Sequence, residues 1–148
     1  MLKIISGGET GSDRGALLAA GAAGLATGGW ASAGWETEDG PAPWLAAWGL
    51  LECPDPGEAA ARWRNVRDCD AALLFGDRAS AVSRALLEDC LALGRPWVHV
   101  GDVGSRRPPV VEYLRSHAEV RVLLVAGACE DTGRFLHRVF RQLGMRSG

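Results

Sequence analysis

The stretch IISGGETGSDRGALLAAG, residues 4–21, decides the fold class of this chain. It opens as a short apolar run with β-branched residues, breaks into glycines and continues as an Ala/Leu-rich segment. A short apolar run is typical of a buried strand, whereas an Ala/Leu-rich run favours a helix. The stretch therefore predicts a strand, a glycine turn and a helix that begins with Ser12 or Asp13 as its N-cap.

The rest of the chain repeats this alternation of apolar strands and helical patterns. AALLF at residues 71–75 and VRVLLVAG at 120–127 are continuous apolar runs. Such runs indicate parallel strands covered on both faces. We therefore expect a single domain over residues 1–148 with a doubly wound α/β fold, a mostly parallel sheet with helices on both faces in three layers. The predicted strands are residues 2–6, 27–31, 50–52, 71–75, 96–100 and 120–127, and the predicted helices are 13–24, 55–68, 79–93, 108–117 and 131–143.

The composition argues against several classes of function. The chain has 148 residues, 47% of them hydrophobic, and a formal net charge of −2, which gives no general attraction to nucleic acid or acidic membranes. No apolar stretch approaches the roughly 20 residues of a membrane span, and no signal peptide is evident. The four cysteines form no CxxC pair, so no metal site is expected. We expect a cytoplasmic protein that binds neither nucleic acid nor membranes.

The glycine turn, GGETGSDR at residues 7–14, is typical of a phosphate-binding loop. Glycines allow positive φ and let a ligand approach bare amides, and the following helix presents unpaired N–H groups at the positive end of its dipole. The turn lacks the GxGxxG pattern of dinucleotide-binding loops and the Gly-Lys-Ser/Thr of a P-loop. The sequence therefore predicts a phosphate site of a different kind.

Several segments share their order with one known family: IISGGETGSDRGAL at 4–17, GGW at 28–30, EDGP at 38–41, NVRDCDA at 65–71, LGRPW at 93–97 and VAG at 125–127. Together they resemble the molybdenum cofactor carrier family. That family belongs to a wider Rossmann-like superfamily, which includes the lysine-decarboxylase-like and Lonely guy proteins.

The resemblance implies a small homo-oligomeric carrier, a dimer or tetramer, with molybdenum enzymes as further partners. Its ligand would be the molybdenum cofactor, molybdopterin, held through its phosphate and its pterin. The implied donors to the phosphate are backbone or hydroxyl groups of Gly7, Gly8, Thr10, Gly11 and Ser12.

Two charged residues of the same turn have less direct implied roles. We expect Asp13 to cap the helix or organise the loop rather than to touch an anion. Arg14 could neutralise the phosphate, although an exposed arginine in a first helical turn is equally ordinary.

Polar residues elsewhere could complete the site. Glu38 and Asp39 lie in a Trp-rich loop, where an indole could stack on a flat heterocycle and a carboxylate could read it. Alternatively, the tryptophans pack this loop onto the domain or build an oligomer interface, and EDGP is a plain turn. Asn65 and Asp68 precede the strand at 71–75 and could hold neighbouring loops in shape.

The chain departs from the family pattern at two places. Relatives usually carry a second glycine-rich stretch after the strand at 71–75, where this chain retains Gly76, with Arg78, Ser80 and Ser83 as substitutes. Relatives usually carry Asn-Val-Ala-Gly-Pro-Arg at the end of the later strand, where this chain has Leu-Val-Ala-Gly-Ala-Cys at 124–129, and the Cys129 thiol could face the expected pocket. The ligand could therefore differ, and a nucleotide is a possible one.

We expect no catalytic residue, since no triad or nucleophile motif is present. Two alternatives to a carrier stay open. One is a nucleotide phosphoribohydrolase, with Glu88 recruited as the acid at the ribose although the glycines of that motif are missing. The other is a module that senses a nucleotide for a partner protein.

Overall fold

A parallel sheet forms the centre of the domain. The computed structural model describes residues 2–106 and 108–145, and within them six strands pair in parallel in the order β3-β2-β1-β6-β4-β5. The strands are β1 Lys3–Ile5, β2 Ala26–Ala31, β3 Leu50–Glu52, β4 Ala71–Phe75, β5 Trp97–Val100 and β6 Val122–Gly127.

Helices cover both faces of this sheet, so the predicted α/β fold class is confirmed. The helices of the described residues are α1 Ser12–Ala22, α2 Glu58–Asp68, α3 Ala81–Leu93, α4 Pro109–Ser116 and α5 Thr132–Gln142. Successive strand residues point to opposite faces. One apolar cluster packs Ile4, Leu73 and Leu123 under α1, α4 and α5, and the other packs Ile5, Leu74 and Leu124 under α2 and α3.

The last strand, β6, lies between β1 and β4. Its register places Leu124 beside Ile5 on one side and beside Ala72 on the other. In a parallel sheet all the carboxyl ends lie at one edge. The loops that follow β1, β6 and β4 are therefore neighbours at that edge, although they are far apart in the sequence.

The segment between β2 and β3 lies outside the sheet and contains two short 3-10 turns, Ala33–Trp35 and Pro43–Trp48. A third apolar cluster anchors the second turn through Ala42 and Leu45, which pack with Leu17, Ala31 and Leu50. Trp35 and Trp48 also pack against this cluster, so these two tryptophans help to hold the loop against the domain.

The helix starts differ from the sequence predictions. Gly11, with φ 79°, precedes α1 in place of Ser12 or Asp13, and no side chain caps that helix. The predicted start of the second helix at residue 55, where Asp55 and Glu58 match a capping box, is wrong: Gly57, at φ 92°, is the N-cap residue, and α2 begins at Glu58. Among the helices that the structure describes, none combines the length and apolar character that crossing a membrane requires.

Candidate functional site

A cleft of about 610 Å³ opens at the carboxyl edge of the sheet, between α2 and α3. Its floor contains Leu74, Leu124 and Ala126 from the central strands. The loop after β1 and the loop after β6 form its rim. Ligands of doubly wound sheets bind at this edge, and the volume lies in the range of small-molecule sites. Its polar lining consists of Gly7, Glu9, Thr10, Gly11, Asp13, Trp30, Ser32, Glu38, Glu58, Arg62, Asn65, Ser80, Ser83, Gly127, Ala128, Cys129 and Glu130, some of them through backbone groups.

The glycine turn between β1 and α1 adopts a backbone that requires glycine. Gly8 has φ 77° and Gly11 has φ 79°, both in the left-handed region. A Cβ at Gly8 would also come within 2.5 Å of the Leu45 side chain. No side chain caps α1, and the positive end of its helix dipole lies at this turn, where the Arg14 N–H already donates to the Glu9 carbonyl at 3.2 Å.

Asp13 is buried beneath this turn, with 8% of its surface exposed. Its Oδ2 accepts a hydrogen bond from the backbone N–H of Glu9 at 3.2 Å, which braces the turn from inside. Burial raises the pKa of Asp13 to about 7, and the nearby Glu9 carboxyl adds to the rise, whereas the Glu9 N–H opposes it. Asp13 therefore changes its protonation state near neutral pH.

Ser12 is fully buried and does not line the cleft. Its hydroxyl lies 2.8 Å from the Thr132 hydroxyl, and its Oγ accepts the backbone N–H of Cys129 at 3.0 Å. These bonds tie the start of α1 to the start of α5. Ser12 is therefore engaged inside the domain rather than at the cleft.

Arg14 and Asp39 form an ion pair outside the cleft lining. Nη1 and Nη2 of Arg14 donate to the two carboxylate oxygens of Asp39 at 2.9 and 2.8 Å, and Nε donates to the Gly8 carbonyl at 3.0 Å. The guanidinium lies 5.0 Å from the centre of the Trp44 ring. The hydrogen bonds that Arg14 donates hold the pKa of Asp39 well below the usual range of an aspartate.

Asn65 is buried in α2 and clamps the end of β2. Its Oδ1 accepts the N–H of Trp30 at 2.8 Å, and its Nδ2 donates to the Trp30 carbonyl at 3.0 Å. The Trp30 indole in turn donates to Asp68 at 2.8 Å. Asn65 and Asp68 thus fix Trp30, which lines the cleft.

The loop after β4 is where the chain departs from the family pattern. Ser80 caps α3: its Oγ accepts the N–H of Ser83 at 3.2 Å, and both serines line the cleft. Gly76 does not line it, and its carbonyl accepts a hydrogen bond from His99 Nε2 at 2.8 Å. Arg78 lies over Trp97, outside the lining.

The structure therefore brings part of the predicted residues to the cleft and places the others outside its lining. Those in the lining are Gly7, Thr10, Gly11, Asp13, Glu38, Asn65, Ser80, Ser83 and Cys129; those outside it are Gly8, Ser12, Arg14, Asp39, Asp68, Gly76 and Arg78.

Four charged lining residues were not predicted from the sequence: Glu9, Glu58, Arg62 and Glu130. The helical spacing of Glu58, Arg62 and Asn65 could have revealed the two on α2, because residues at i, i+4 and i+7 share a helix face. Arg62 is paired with Asp89 at 2.8 Å.

Burial raises the pKa of Glu9, and the nearby Glu38 and Glu58 carboxyls raise it further, while the Glu38 N–H and Arg14 lower it. The cleft is therefore rich in hydrogen-bond acceptors.

No three His, Cys, Asp or Glu side chains within residues 2–106 and 108–145 are placed to hold a metal ion. Glu88, the acid considered for a hydrolase, is exposed on α3 and lies outside the lining.

Comparison with known proteins places the chain in a family. The family described as the circularly permutated YpsA SLOG family matches residues 4–143, and the chain belongs to it. The sequence matches none of the curated proteins at a significant level.

One solved structure is similar over nearly the whole chain. It is the 1.45 Å crystal structure of a protein from Syntrophus aciditrophicus SB, named as a candidate molybdenum carrier protein. The two share 26% identity with a TM-score of 0.79, over 95% of this chain and 93% of that one. The resemblance inferred from the sequence motifs is thereby confirmed. A second solved structure is that of (E)-4-hydroxy-3-methyl-but-2-enyl diphosphate reductase, with 13% identity over 97% of this chain and 59% of that one. Its TM-score of 0.39 is too low for the similarity to bear on fold or function.

Proposed function

We propose that this member of the circularly permutated YpsA SLOG family is a carrier that binds a small phosphorylated heterocycle in the cleft, with the molybdenum cofactor, molybdopterin, as the favoured ligand. The observation that carries the proposal is the glycine turn, which joins the uncapped start of α1 to a cleft of about 610 Å³. The name of the Syntrophus relative, a molybdenum carrier, supports the choice of ligand.

The ligand's phosphate would lie at the turn of residues 7–12. Gly7, Thr10 and Gly11 line the cleft there, and the first N–H groups of α1 follow. Backbone N–H groups at a helix N-terminus stabilise phosphate by hydrogen bonding and by the helix dipole. The hydroxyl of Thr10 adds one side-chain donor.

The heterocycle would lie deeper, between α2 and α3. The floor there is apolar, with Leu74, Leu124 and Ala126, so a flat ring can be buried against it. The carboxylates of Glu9 and Glu58 in the lining accept hydrogen bonds, and a pterin presents ring and amino N–H donors. A ligand whose ring carries N–H donors therefore fits the Glu9 and Glu58 carboxylates better than a ligand that carries only negative charge.

Isothermal titration with molybdopterin, GMP, AMP and inorganic phosphate tests the proposal. Thr10→Glu adds a negative charge at the turn, so we expect the Kd of phosphorylated ligands to rise at least about tenfold, because like charges repel. Ala118→Glu adds the same charge at an exposed position outside the cleft lining and should leave the Kd unchanged. Equal affinity of wild type and Thr10→Glu for every phosphorylated ligand would show that the phosphate site is elsewhere.

Incubation with AMP separates a carrier from a hydrolase. We expect no free adenine, and release of adenine would favour the enzyme alternative. Sedimentation equilibrium tests the proposed homo-oligomer, and transfer of molybdopterin to an apo molybdenum enzyme tests the proposed partners.

A further inference from the structure

Residues 35–42 form a small hairpin beside the glycine turn, here called the 35–42 hairpin. Its backbone closes on itself: Thr37 and Gly40 exchange N–H···O bonds of 3.1 and 3.0 Å, and the Ala42 N–H donates to the Trp35 carbonyl at 2.8 Å. Residues 36–41 are exposed or half-buried, whereas Ala42 is buried in the third apolar cluster. The tip of the hairpin, residues 36–41, is therefore held by its own hydrogen bonds and is not anchored by an apolar side chain in the core.

The tip is attached to the glycine turn by polar contacts. Asp39 accepts both Nη groups of Arg14, and Arg14 Nη2 also donates to Thr37 at 3.1 Å. Glu38 Oε2 accepts the Thr10 hydroxyl at 2.9 Å, and the Glu38 N–H donates to Glu9 at 3.0 Å. Two carboxylates of the hairpin thus bind the guanidinium and the hydroxyl that stand beside the proposed phosphate site.

We propose that the 35–42 hairpin is an autoinhibitory strap, in which the Glu38 and Asp39 carboxylates occupy donors that a ligand phosphate would use, and that ligand binding displaces it. The inference rests on the proposed function and concerns the regulation of the same site. Arg14 remains near the turn when the strap leaves, because its Nε is bonded to the Gly8 carbonyl. The freed guanidinium then neutralises the phosphate, as Arg forks do.

Charge and exposure both favour displacement. Glu38 lines the cleft, so a closed strap puts a carboxylate against an incoming phosphate. The Asp39 side chain is 57% exposed, and exposed ion pairs contribute little to stability. A ligand that binds better to the open form shifts the population towards that form. The apparent affinity equals the affinity of the open form multiplied by the fraction of molecules that are open, so a closed strap lowers it.

The test compares Asp39→Asn and Glu38→Gln with Asp55→Asn. The first two weaken the strap or remove its charge, whereas the third breaks an exposed ion pair with Arg64 outside the cleft lining. Titration with molybdopterin and with GMP should give a Kd roughly three- to tenfold lower for the two strap variants and unchanged for the control. Hydrogen exchange of the amides of residues 35–42 should be faster in Asp39→Asn, and faster in the wild type once ligand is added.

The outcomes separate this inference from the proposed function. If the wild type binds and the strap variants bind no more tightly, or more weakly, the strap is not inhibitory although the function stands. If bound ligand slows exchange in the hairpin, the hairpin closes over the ligand and the inference is wrong. If neither the wild type nor any variant binds molybdopterin or GMP, both proposals fail; binding by the variants alone supports both.

Discussion

Asp13 places an ionisable carboxyl group beneath the glycine turn, where 8% of the residue is exposed. Its pKa rises from 3.8 to about 7 because burial disfavours the charged form. The folded state therefore keeps a proton that the unfolded state has lost between these two pH values. The stability that this group contributes is complete below the unfolded pKa and is lost as the pH rises through the folded pKa.

Asp13→Asn should remove this pH dependence. Asparagine keeps an oxygen that accepts the Glu9 N–H and stays neutral at every pH. We expect the free energy of unfolding of the variant, relative to that of the wild type, to increase between about pH 4 and about pH 7 and to stay level above that range. Urea unfolding of both proteins across this range measures it. Parallel pH curves would mean that Asp13 titrates normally.

Asn65→Ala should destabilise the end of β2. The substitution leaves the N–H and carbonyl of Trp30 without their side-chain partners, and unpaired buried backbone groups cost about 1–3 kcal/mol each. We expect a loss of about 2–4 kcal/mol in the free energy of unfolding. Gln142→Ala removes an exposed amide bonded to the Arg106 carbonyl and should change it by less than about 0.5 kcal/mol. A similar small effect at Asn65 would contradict the clamp.

At the scale of the elements, β4 and β6 stay paired up to the last residue of β6. Gly127 pairs with Phe75 and has φ 118°, and a Cβ there would lie 2.0 Å from the Phe75 carbonyl oxygen. The two strands can therefore remain paired up to the cleft only if this residue has no side chain.

Gly127→Ala should separate the two strands at the edge of the cleft. We expect a loss of at least about 3 kcal/mol in the free energy of unfolding, from the close contact and the positive φ together. Gly57→Ala is the matched control: it has φ 92° but no atom within 4 Å of the new Cβ, and it should cost about 1–3 kcal/mol, the cost of the backbone conformation alone. Equal losses in urea unfolding would show that backbone conformation alone requires glycine at residue 127.

At the scale of the whole molecule, ligand binding and folding are linked. A ligand that binds the folded state alone stabilises it, by about 2.7 kcal/mol at a concentration of 100 times the Kd. Thermal unfolding with molybdopterin should therefore raise the Tm of the wild type, and raise that of Thr10→Glu by clearly less at the same concentration, because a tenfold higher Kd reduces the stabilisation to about 1.4 kcal/mol. An equal shift in both proteins would place the binding site away from the glycine turn.

Local sequence patterns predicted much of the fold and one wall of the site. The glycine turn, β1 and α1 were predicted from a single stretch, because positive φ, apolar runs and helix propensity depend on neighbouring residues. The start of α2 was predicted incorrectly, since Asp55 and Glu58 match a capping box but the conformation of Gly57 intervenes. Three acidic residues of the cleft lining were not predicted, because Glu9, Glu58 and Glu130 come from three different loops or helices.

The sequence by itself determined the class of the domain, the alternation of its strands and helices, and the glycine turn that marks the site. The tertiary structure alone decided that β6 lies between β1 and β4, that Ser12 meets Cys129 across 117 residues, and that Asp39 holds Arg14 across 25. The reason is physical. Local structure follows from residues within a few positions, whereas these contacts join distant residues through the packing of the sheet and have no local signature.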